Sequence, residues 1–481
     1  MGSQQEIQTD AKVVARARVG SRWLDGDATR AIIDPYRGTV VGEMPVSTAD
    51  DCDAALGAAR AACPKIAAMP AYERAAILRR VAATVEERAA SIGRVMAQET
   101  GKAISDCITE VARSADTLRL CAEEAVRIQG EHVPMDATAI GASKIAMALR
   151  FPVGVVAAIT PFNAPVNLAA HKVGPAIAAG NAIVLKPSPK APLSFHLFME
   201  AFFDCGLPDG AVNTVYGDSV GPQLVTDPRV DFVSFTGSIP VGRAIRSAIG
   251  IRRVALELGG VGPTFVHHDA DIAAAAKACA RNGILLAGQS CISVQNVHVA
   301  RQVHDQFLDL VRREIEAIRF GDPLDPATEV GTLIDEGAAR RVEGMIGRAV
   351  EQGAVALCGG SRQGAAVPAT LLTGATADME VVRDELFGPA ISVLPYDEIE
   401  PVFDAISRSP YGLQCGIFTN SLDLALKAYR SVRTGGVIVN ATSRWRSDQM
   451  PYGGVKDSGI GREGPKYAIR DMTEERLLVL N

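Results

Sequence analysis

The sequence predicts an α/β protein with parallel sheets covered by helices, and three features of the chain predict it. Apolar strands alternate with helices from Val153 to about Gly260, a second alternation runs from Pro263 to about Asn440, and an Ala-rich helical stretch precedes both. Regular strand-helix succession is the signature of a parallel sheet with helices on both faces. At 481 residues the chain also exceeds what one hydrophobic core usually holds, so two or three domains are expected.

The elements follow in order. From Asp50 to about Gly130, segments such as "RAAILRRVAATVEERAASIGRVMAQET" carry apolar residues at helical spacing and read as amphipathic scaffold helices. "KIAMALRFP" (Lys144 to Pro152) alternates as a strand and suits an edge or an inter-subunit hairpin. Next come the strands "VGVVAAIT", "AIVLK", "VNTVYG", "DFVSFTGS" and "RRVALELGG", with helices after Pro165 and from Leu193 to Phe203 between them. The second succession takes "PTFVHH", a helix from Asp271 to Leu286, "SVQNVHVA" and "GGVIVN". The terminal "EERLLVLN" reads as an apolar strand that is stable only when paired with another sheet.

Composition removes several classes of function. Lys plus Arg total 49 against 55 Asp plus Glu, a net charge of -6, and no basic run interleaves with aromatics, so nucleic acid is not an expected partner. The longest apolar stretches, Val153 to Ile159 and Ala176 to Leu185, are too short or too interrupted to span a bilayer. "MGSQQEIQTDAK" lacks the apolar core of a secretory signal, and a cytoplasmic address is the default expectation. Nine scattered cysteines and seven histidines form no disulfide framework and no metal-ligand spacing; His267 and His268 read as the end of a strand, so no metal is expected.

Several residues have the chemistry of a site. In "AGQSCISV", Cys291 falls on a turn between a helical run ending near Ala287 and a strand beginning near Ser293, with small neighbours that suit a nucleophile meeting a carbonyl. A buried structural thiol is the alternative. Glu257 in "LELGG" closes an apolar strand, so it either has a partner or its pKa rises toward the range of a general base. Asn163 in "TPFNAP" either projects an amide over the carboxyl end of the sheet or caps the following helix. "FTGSIPVG" puts Gly237 and Gly242 on a strand-to-helix turn where backbone N–H groups suit a pyrophosphate, although the three-glycine fingerprint is missing. Lys186 in "LKPS" stands at a strand end within reach of a ribose or phosphate, or is a surface lysine.

Together "TPFNAP", "AAGNAIVLKPS", "FTGSIPVG", "LELGG", "GQSC", "DELFGP" and "MPYGGVKDSGIGREG" resemble the aldehyde dehydrogenase superfamily, from about residue 20 to the end. The resemblance implies that Cys291 is the nucleophile, Glu257 the general base, and Asn163 with the Cys291 N–H the oxyanion hole. It implies NAD or NADP as cofactor, with Lys186 and Glu385 on riboses, Phe387 beside the nicotinamide ribose, Ser238 near the pyrophosphate, and Thr160, Pro161, Ser188 and Gly237 in the same site. It also implies a Rossmann-like cofactor domain (1–126 and 150–253), an α/β catalytic domain (254–440), and a small β flap (127–149 and 466–481) that joins subunits into a homodimer or homotetramer. Residues 441–465 would return to the cofactor side.

The implied reaction is oxidation of an aldehyde to its acid through a thiohemiacetal and a hydrolysed thioester. Relatives that acylate coenzyme A lack a glutamate at the position of Glu257, which disfavours that alternative, as the joint presence of Cys291, Glu257 and Asn163 disfavours a non-catalytic member of the fold. Val261 and Gln295 depart from the family's usual lysine and arginine at positions outside the chemistry. Pro189 and Lys190 stand where NAD-preferring relatives often have a glutamate, so no carboxylate is expected to repel a 2'-phosphate. "SRWRSDQMPYGG" resembles a subgroup that acts on short polar aldehydes such as lactaldehyde, succinic semialdehyde and phosphonoacetaldehyde. Arg446 and Arg113 are candidates for contacting a substrate anion or hydroxyl. Small Ala164 and Ser290 leave room that Trp445 would line, hinting at a bulkier or aromatic substrate.

Overall fold

The computed structural model describes residues 12–481, so all but Lys12 of the segment inspected for a secretory signal lies outside the described residues. Its centre is an eight-stranded sheet in the order Gly459–Ile460, Arg253–Glu257, Phe232–Thr236, Val155–Ile159, Ala182–Lys186, Val212–Thr214, Ala17–Val19, Arg22–Leu24. The five strands from Arg253–Glu257 to Val212–Thr214 are mutually parallel, and the flanking ones add antiparallel. Val155–Ile159 and Ala182–Lys186 are buried at every residue, which explains why they read as continuous apolar runs rather than as alternating ones.

A seven-stranded sheet runs Val355–Cys358, Thr370–Thr373, Ala390–Tyr396, Asn296–Ala300, Thr264–Val266, Gln414–Phe418, Gly436–Val439, parallel except at its first pair. Each large sheet separates two apolar clusters, one on either face. A three-stranded sheet pairs Thr473–Leu480 with Ile145–Pro152 along the full length of both, and Glu131–Val133 lies on the other side. "KIAMALRFP" is therefore the middle strand of this sheet and not its edge.

The Ala-rich region forms four helices, Ala49–Ala68, Ala71–Glu87, Ala89–Thr100 and Ile104–Ala125. The first opens with a reciprocal bond set between Thr48 and Asp51, and the third ends at Gly101, whose φ of 72° suits glycine. Short N-terminal strands, Val13–Val14, Thr29–Ile33 and Val40–Pro45 among them, are not apparent in the sequence because runs this short carry little periodicity.

The most consequential element is the helix Pro165–Ala179, buried at every residue. Proline at its first turn costs nothing because that N–H has no helical partner. The N–H groups of Val166 and Asn167 are instead accepted by one oxygen of Glu110, at 3.0 and 3.2 Å, and the other oxygen is ion-paired to buried Lys102. Lys102 also donates to the Asn163 carbonyl at 3.4 Å, so this ion pair sets the height of the "TPFNAP" loop over the sheet.

Candidate active site

Thr160, Lys186, Thr236 and Glu257 stand at or just past the carboxyl ends of four neighbouring parallel strands, where such sheets bind ligands. Two cavities open there. The first, about 550 Å³, is lined by Thr160, Pro161, Lys186, Ser188, Gly237 and Ser238, with an apolar slot formed by Pro222, Val225, Val241 and Ile245. The second, about 470 Å³, is lined by Asn163, Glu257 and Cys291 together with Arg113, Trp445 and Arg446. Thr236 lines both, so the cavities share a wall.

The loop that carries Cys291 departs from expectation. The helix Ile272–Ile284 ends three residues earlier than predicted, and Leu286, Ala287 and Gly288 all take left-handed φ values of 62°, 51° and 68°. Only Gly288 does so without steric cost, and a Cβ there would sit 1.9 Å from the Gly388 carbonyl oxygen. Gln289 secures the turn: its amide donates to Leu286 O (3.3 Å) and its carbonyl accepts from Ile334 N (3.0 Å). The next strand begins at Asn296 rather than Ser293.

Asn163 does not cap its helix; its amide donates to Gln289 O at 2.9 Å, bridging to the loop that carries Cys291. The second amide hydrogen remains for a ligand, as does the Cys291 N–H, which has no hydrogen-bond partner among the described residues. The Cys291 sulfur lies 3.1 Å from the Tyr452 hydroxyl, a contact between residues too far apart along the chain for local sequence to reveal it. Burial pushes the thiol up to about 12, with the Tyr452 hydrogen bond pulling the other way.

The surroundings of Glu257 decide between a paired carboxylate and one with a raised pKa. It is 4% exposed, and neither carboxylate oxygen has a hydrogen-bond partner among the described residues. Burial, and then the neighbouring Glu463, hold its pKa well above the ordinary carboxyl range. Glu463 takes the charge instead: despite burial, Lys172 (3.6 Å) and Arg446 (3.0 Å) keep it ionised.

Arg446 is held on several sides at once. It lies 3.9 Å from the centre of the Tyr452 ring, pairs with Glu463, and meets His171 at 3.0 Å. His171 meets Asp448 at 3.1 Å, and Asp448 pairs with Arg113 at 2.7 Å. Both arginines singled out in the sequence therefore line the cavity with carboxylate partners in place, Asp448 for Arg113 and, for Arg446, Glu463, which it shares with Lys172. Trp445 lies at the cavity's rim, 53% exposed.

The nucleotide cleft carries signs of a polar ligand. Among the described residues Thr160 Oγ1 is buried without a partner, and Lys186, 5% exposed, has only the Pro187 carbonyl (3.2 Å) and Asp218 (3.7 Å). Gly237 lies so close to the Phe235 ring that a Cβ would come within 2.6 Å of it, leaving the start of the helix Ile239–Ala248 open to a ligand. These residues fit a dinucleotide: an apolar slot for a base, a lysine for a ribose, a helix start for a pyrophosphate. Asp218 also lines this cleft, where it faces Lys186. Lys190 pairs with Asp335 at 2.6 Å and lies 5.6 Å from the centre of the Phe162 ring, which lines the cleft.

Glu385 and Phe387 stand outside the lining of both cavities. Glu385 accepts from Gly260 N at 3.2 Å, and burial raises it to about 7. Phe387, with φ 47°, packs edge-on against Phe162 of the cleft, ring centres 6.0 Å apart. Gln295, outside the chemistry itself, holds this segment: it donates to Val381 O and Asp384 O (3.0 and 2.7 Å) and accepts from Leu386 N (2.9 Å). Val261 is simply buried. Among the described residues no group of His, Cys, Asp and Glu is arranged to hold a metal, and no helix is long and apolar enough to cross a membrane.

A thiol, a buried carboxyl and an amide thus line one cavity, and Thr236 lines both it and the cleft whose residues fit a dinucleotide. The chain belongs to the aldehyde dehydrogenase family, whose model matches residues 23–478. It is 42% identical over 465 residues to a 3-sulfolactaldehyde dehydrogenase of Priestia aryabhattai, covering 96% of this chain and 97% of that one. Aldehyde dehydrogenase 21 of Physcomitrella patens, solved with the reaction product succinate, superposes with a TM-score of 0.95 at 36% identity, covering 98% and 99% of the two chains. An NADP-dependent glyceraldehyde-3-phosphate dehydrogenase of Bacillus halodurans, solved with NADP, gives 0.94 at 35% identity, covering 97% and 99%. The chain is an enzyme that oxidises a small aldehyde with NAD or NADP.

Proposed function

We propose that the physiological substrate is a short polar aldehyde, and that Cys291, Asn163 and Glu257 convert it to the acid. The convergence of these three side chains on one cavity beside the dinucleotide cleft carries this reading. The Cys291 thiolate adds to the carbonyl carbon, and the resulting oxyanion takes the free hydrogen of the Asn163 amide and the Cys291 N–H. The nicotinamide, when bound, supplies the acceptor for the hydride that leaves the thiohemiacetal carbon. Glu257 then takes a proton from the water that cleaves the thioester; its raised pKa makes it a stronger base than an exposed glutamate. Lys186, Ser238 and the Gly237 turn would hold the dinucleotide, and Glu385 and Phe387, outside the lining of the cleft, would supply the further ribose contacts that the family resemblance implies.

We further propose the division into a cofactor domain (1–126 and 150–253), a catalytic domain (254–440) and a flap (127–149 and 466–481), with 441–465 rejoining the cofactor side. Leu477, Leu478, Val479 and Leu480, with Ile145, Leu149 and Phe151 on the adjoining strand, expose apolar side chains along the flap, which supports a homodimer or homotetramer joined through it. All nine cysteines are unpaired, which supports a reducing, cytoplasmic setting.

Pre-steady-state absorbance of reduced cofactor tests the division of roles. Cys291→Ala is expected to abolish turnover, and Glu257→Gln to leave a stoichiometric burst followed by slow acid release. Equal loss of burst and turnover in Glu257→Gln refutes the assignment.

A further inference from the structure

Tyr452, Glu463 and Arg446 form a closed unit behind the nucleophile. The backbones of Tyr452 and Glu463 pair as an antiparallel bridge, each donating its N–H to the other's carbonyl, at 3.2 and 2.6 Å. The Glu463 carboxylate holds Arg446 at 3.0 Å, and Arg446 lies against the face of the Tyr452 ring, 3.9 Å from its centre. His171, buried in the helix Pro165–Ala179, meets the guanidinium at 3.0 Å from a further side. Gln414 donates to the Trp445 carbonyl at 2.6 Å, which fixes the backbone just before Arg446. The tyrosine hydroxyl has the Cys291 sulfur as its hydrogen-bond partner, at 3.1 Å.

The charges around the sulfur give this unit a direction. Glu385 and Glu257 both face Cys291 and work against a thiolate, whereas the Tyr452 hydroxyl and the Arg446 charge favour it. Burial, with Cys291 and Glu257 beside it, holds the phenol well above its ordinary range, so it serves as a donor and not as a base; Arg446 pulls it the other way. The other charges about Arg446 are Glu463, shared with Lys172 at 3.6 Å, and Asp448, which meets His171. A cation on the face of a phenol draws electron density from the ring and makes its O–H a stronger donor, and the effect grows where water is excluded.

We propose that Arg446 is a positioning residue of the reaction: stacked on Tyr452, it strengthens the hold of the hydroxyl on the Cys291 sulfur, and so serves the nucleophile rather than the substrate. Tyr452 touches the reacting atom, and Arg446 acts through Tyr452. The thiol gives up its proton to solvent, the phenol keeps its own, and the sulfur electron pair then forms the bond to the carbonyl carbon. This rests on Cys291 being the nucleophile proposed above. Arg446 Nε lies buried without a partner among the described residues, so a charged substrate is the rival use of this side chain, and the assay separates the two.

The test is a cycle of Arg446→Gln, Tyr452→Phe and the double variant, with alkylation of Cys291 by iodoacetamide followed by mass spectrometry across pH 6 to 10. Arg446→Gln is expected to slow alkylation near pH 7.5 by about 5- to 30-fold and to move the profile to higher pH by about one unit. In the Tyr452→Phe background the same substitution is expected to change the rate less than about threefold. Turnover gives a second readout: kcat/KM should fall by a similar factor for anionic succinic semialdehyde and neutral propanal, with KM little changed. Arg446→Lys keeps a cation opposite Glu463 and is expected to recover part of the alkylation rate. Where melting and cofactor fluorescence show the glutamine variant unfolded, the cycle is run with lysine, and a coupling of about threefold is expected. An unmoved profile, an equal fall with and without the Tyr452 hydroxyl, or a loss of turnover confined to the anionic aldehyde would each overturn the proposal. Should Cys291→Ala still oxidise aldehydes, the assignment of the nucleophile fails instead, whatever the alkylation profiles show.

Discussion

Removing the Tyr452 hydroxyl isolates one contact in the site. In Tyr452→Phe the ring remains beneath Arg446, at 3.9 Å in the native protein, and only the hydrogen bond to the Cys291 sulfur, 3.1 Å long, is lost. The bond matters because the thiol starts from an unfavourable position: burial lifts it to about 12, and Tyr452 is the first group that lowers it. A hydrogen bond to a charged group contributes about 1.5–3 kcal/mol, and about 1.4 kcal/mol is a factor of ten, so the thiolate population should fall about 10- to 150-fold. The assay is the rate of Cys291 alkylation by iodoacetamide across pH 6 to 10, alongside kcat/KM. The whole alkylation profile is expected to move to higher pH by one to two units, with aldehyde KM changed little. An unmoved profile would show that Tyr452 packs against the sulfur without stabilising its anion, and the reasoning would fail.

Other outcomes follow from the same geometry. Glu385, raised to about 7 by burial, accepts hydrogen bonds best when ionised, so cofactor affinity should strengthen as pH rises through about 7. In Glu385→Gln that dependence should flatten; nucleotide fluorescence titrations at pH 5.5 and 8.5 read it. Gly288→Ala forces a Cβ to within 1.9 Å of a carbonyl oxygen at φ 68° and should lower turnover at least tenfold while destabilising the fold by about 1–3 kcal/mol, read by melting and alkylation together. Leu477→Glu, at a position 61% exposed on the flap, should shift the enzyme toward smaller species in light scattering with its site intact, if subunits join there.

Much of the site was legible because its residues stand at punctuation points of a regular pattern. Lys186 and Glu257 close apolar strands, and Asn163 lies between a strand and a proline-started helix, so strand direction alone sends them to one end of the sheet. The contacts that were not legible depend on partners remote in sequence. Gln295 reaches residues 86 and 89 positions away, and Tyr452 meets a sulfur 161 positions away. Nor does local pattern reveal that Leu286 and Ala287 adopt left-handed backbone, since neither residue type favours it; the tertiary fold imposes that conformation. Charge balance was equally invisible. Arg113 and Arg446 are alike as letters, and only the structure shows that one pairs with Asp448 while the other shares Glu463 with Lys172.

The long pairing of Ile145–Pro152 with Thr473–Leu480 has a consequence for biogenesis. Arg150 meets Glu475 across it, 325 positions apart, so during vectorial synthesis the earlier strand emerges with only Glu131–Val133 at its side. Until the ribosome has delivered residues 473–480, its other backbone edge stays open to whatever strand it meets. Nascent molecules of this enzyme are therefore most exposed to mispairing, and most in need of chaperone cover, in the interval before residues 473–480 arrive.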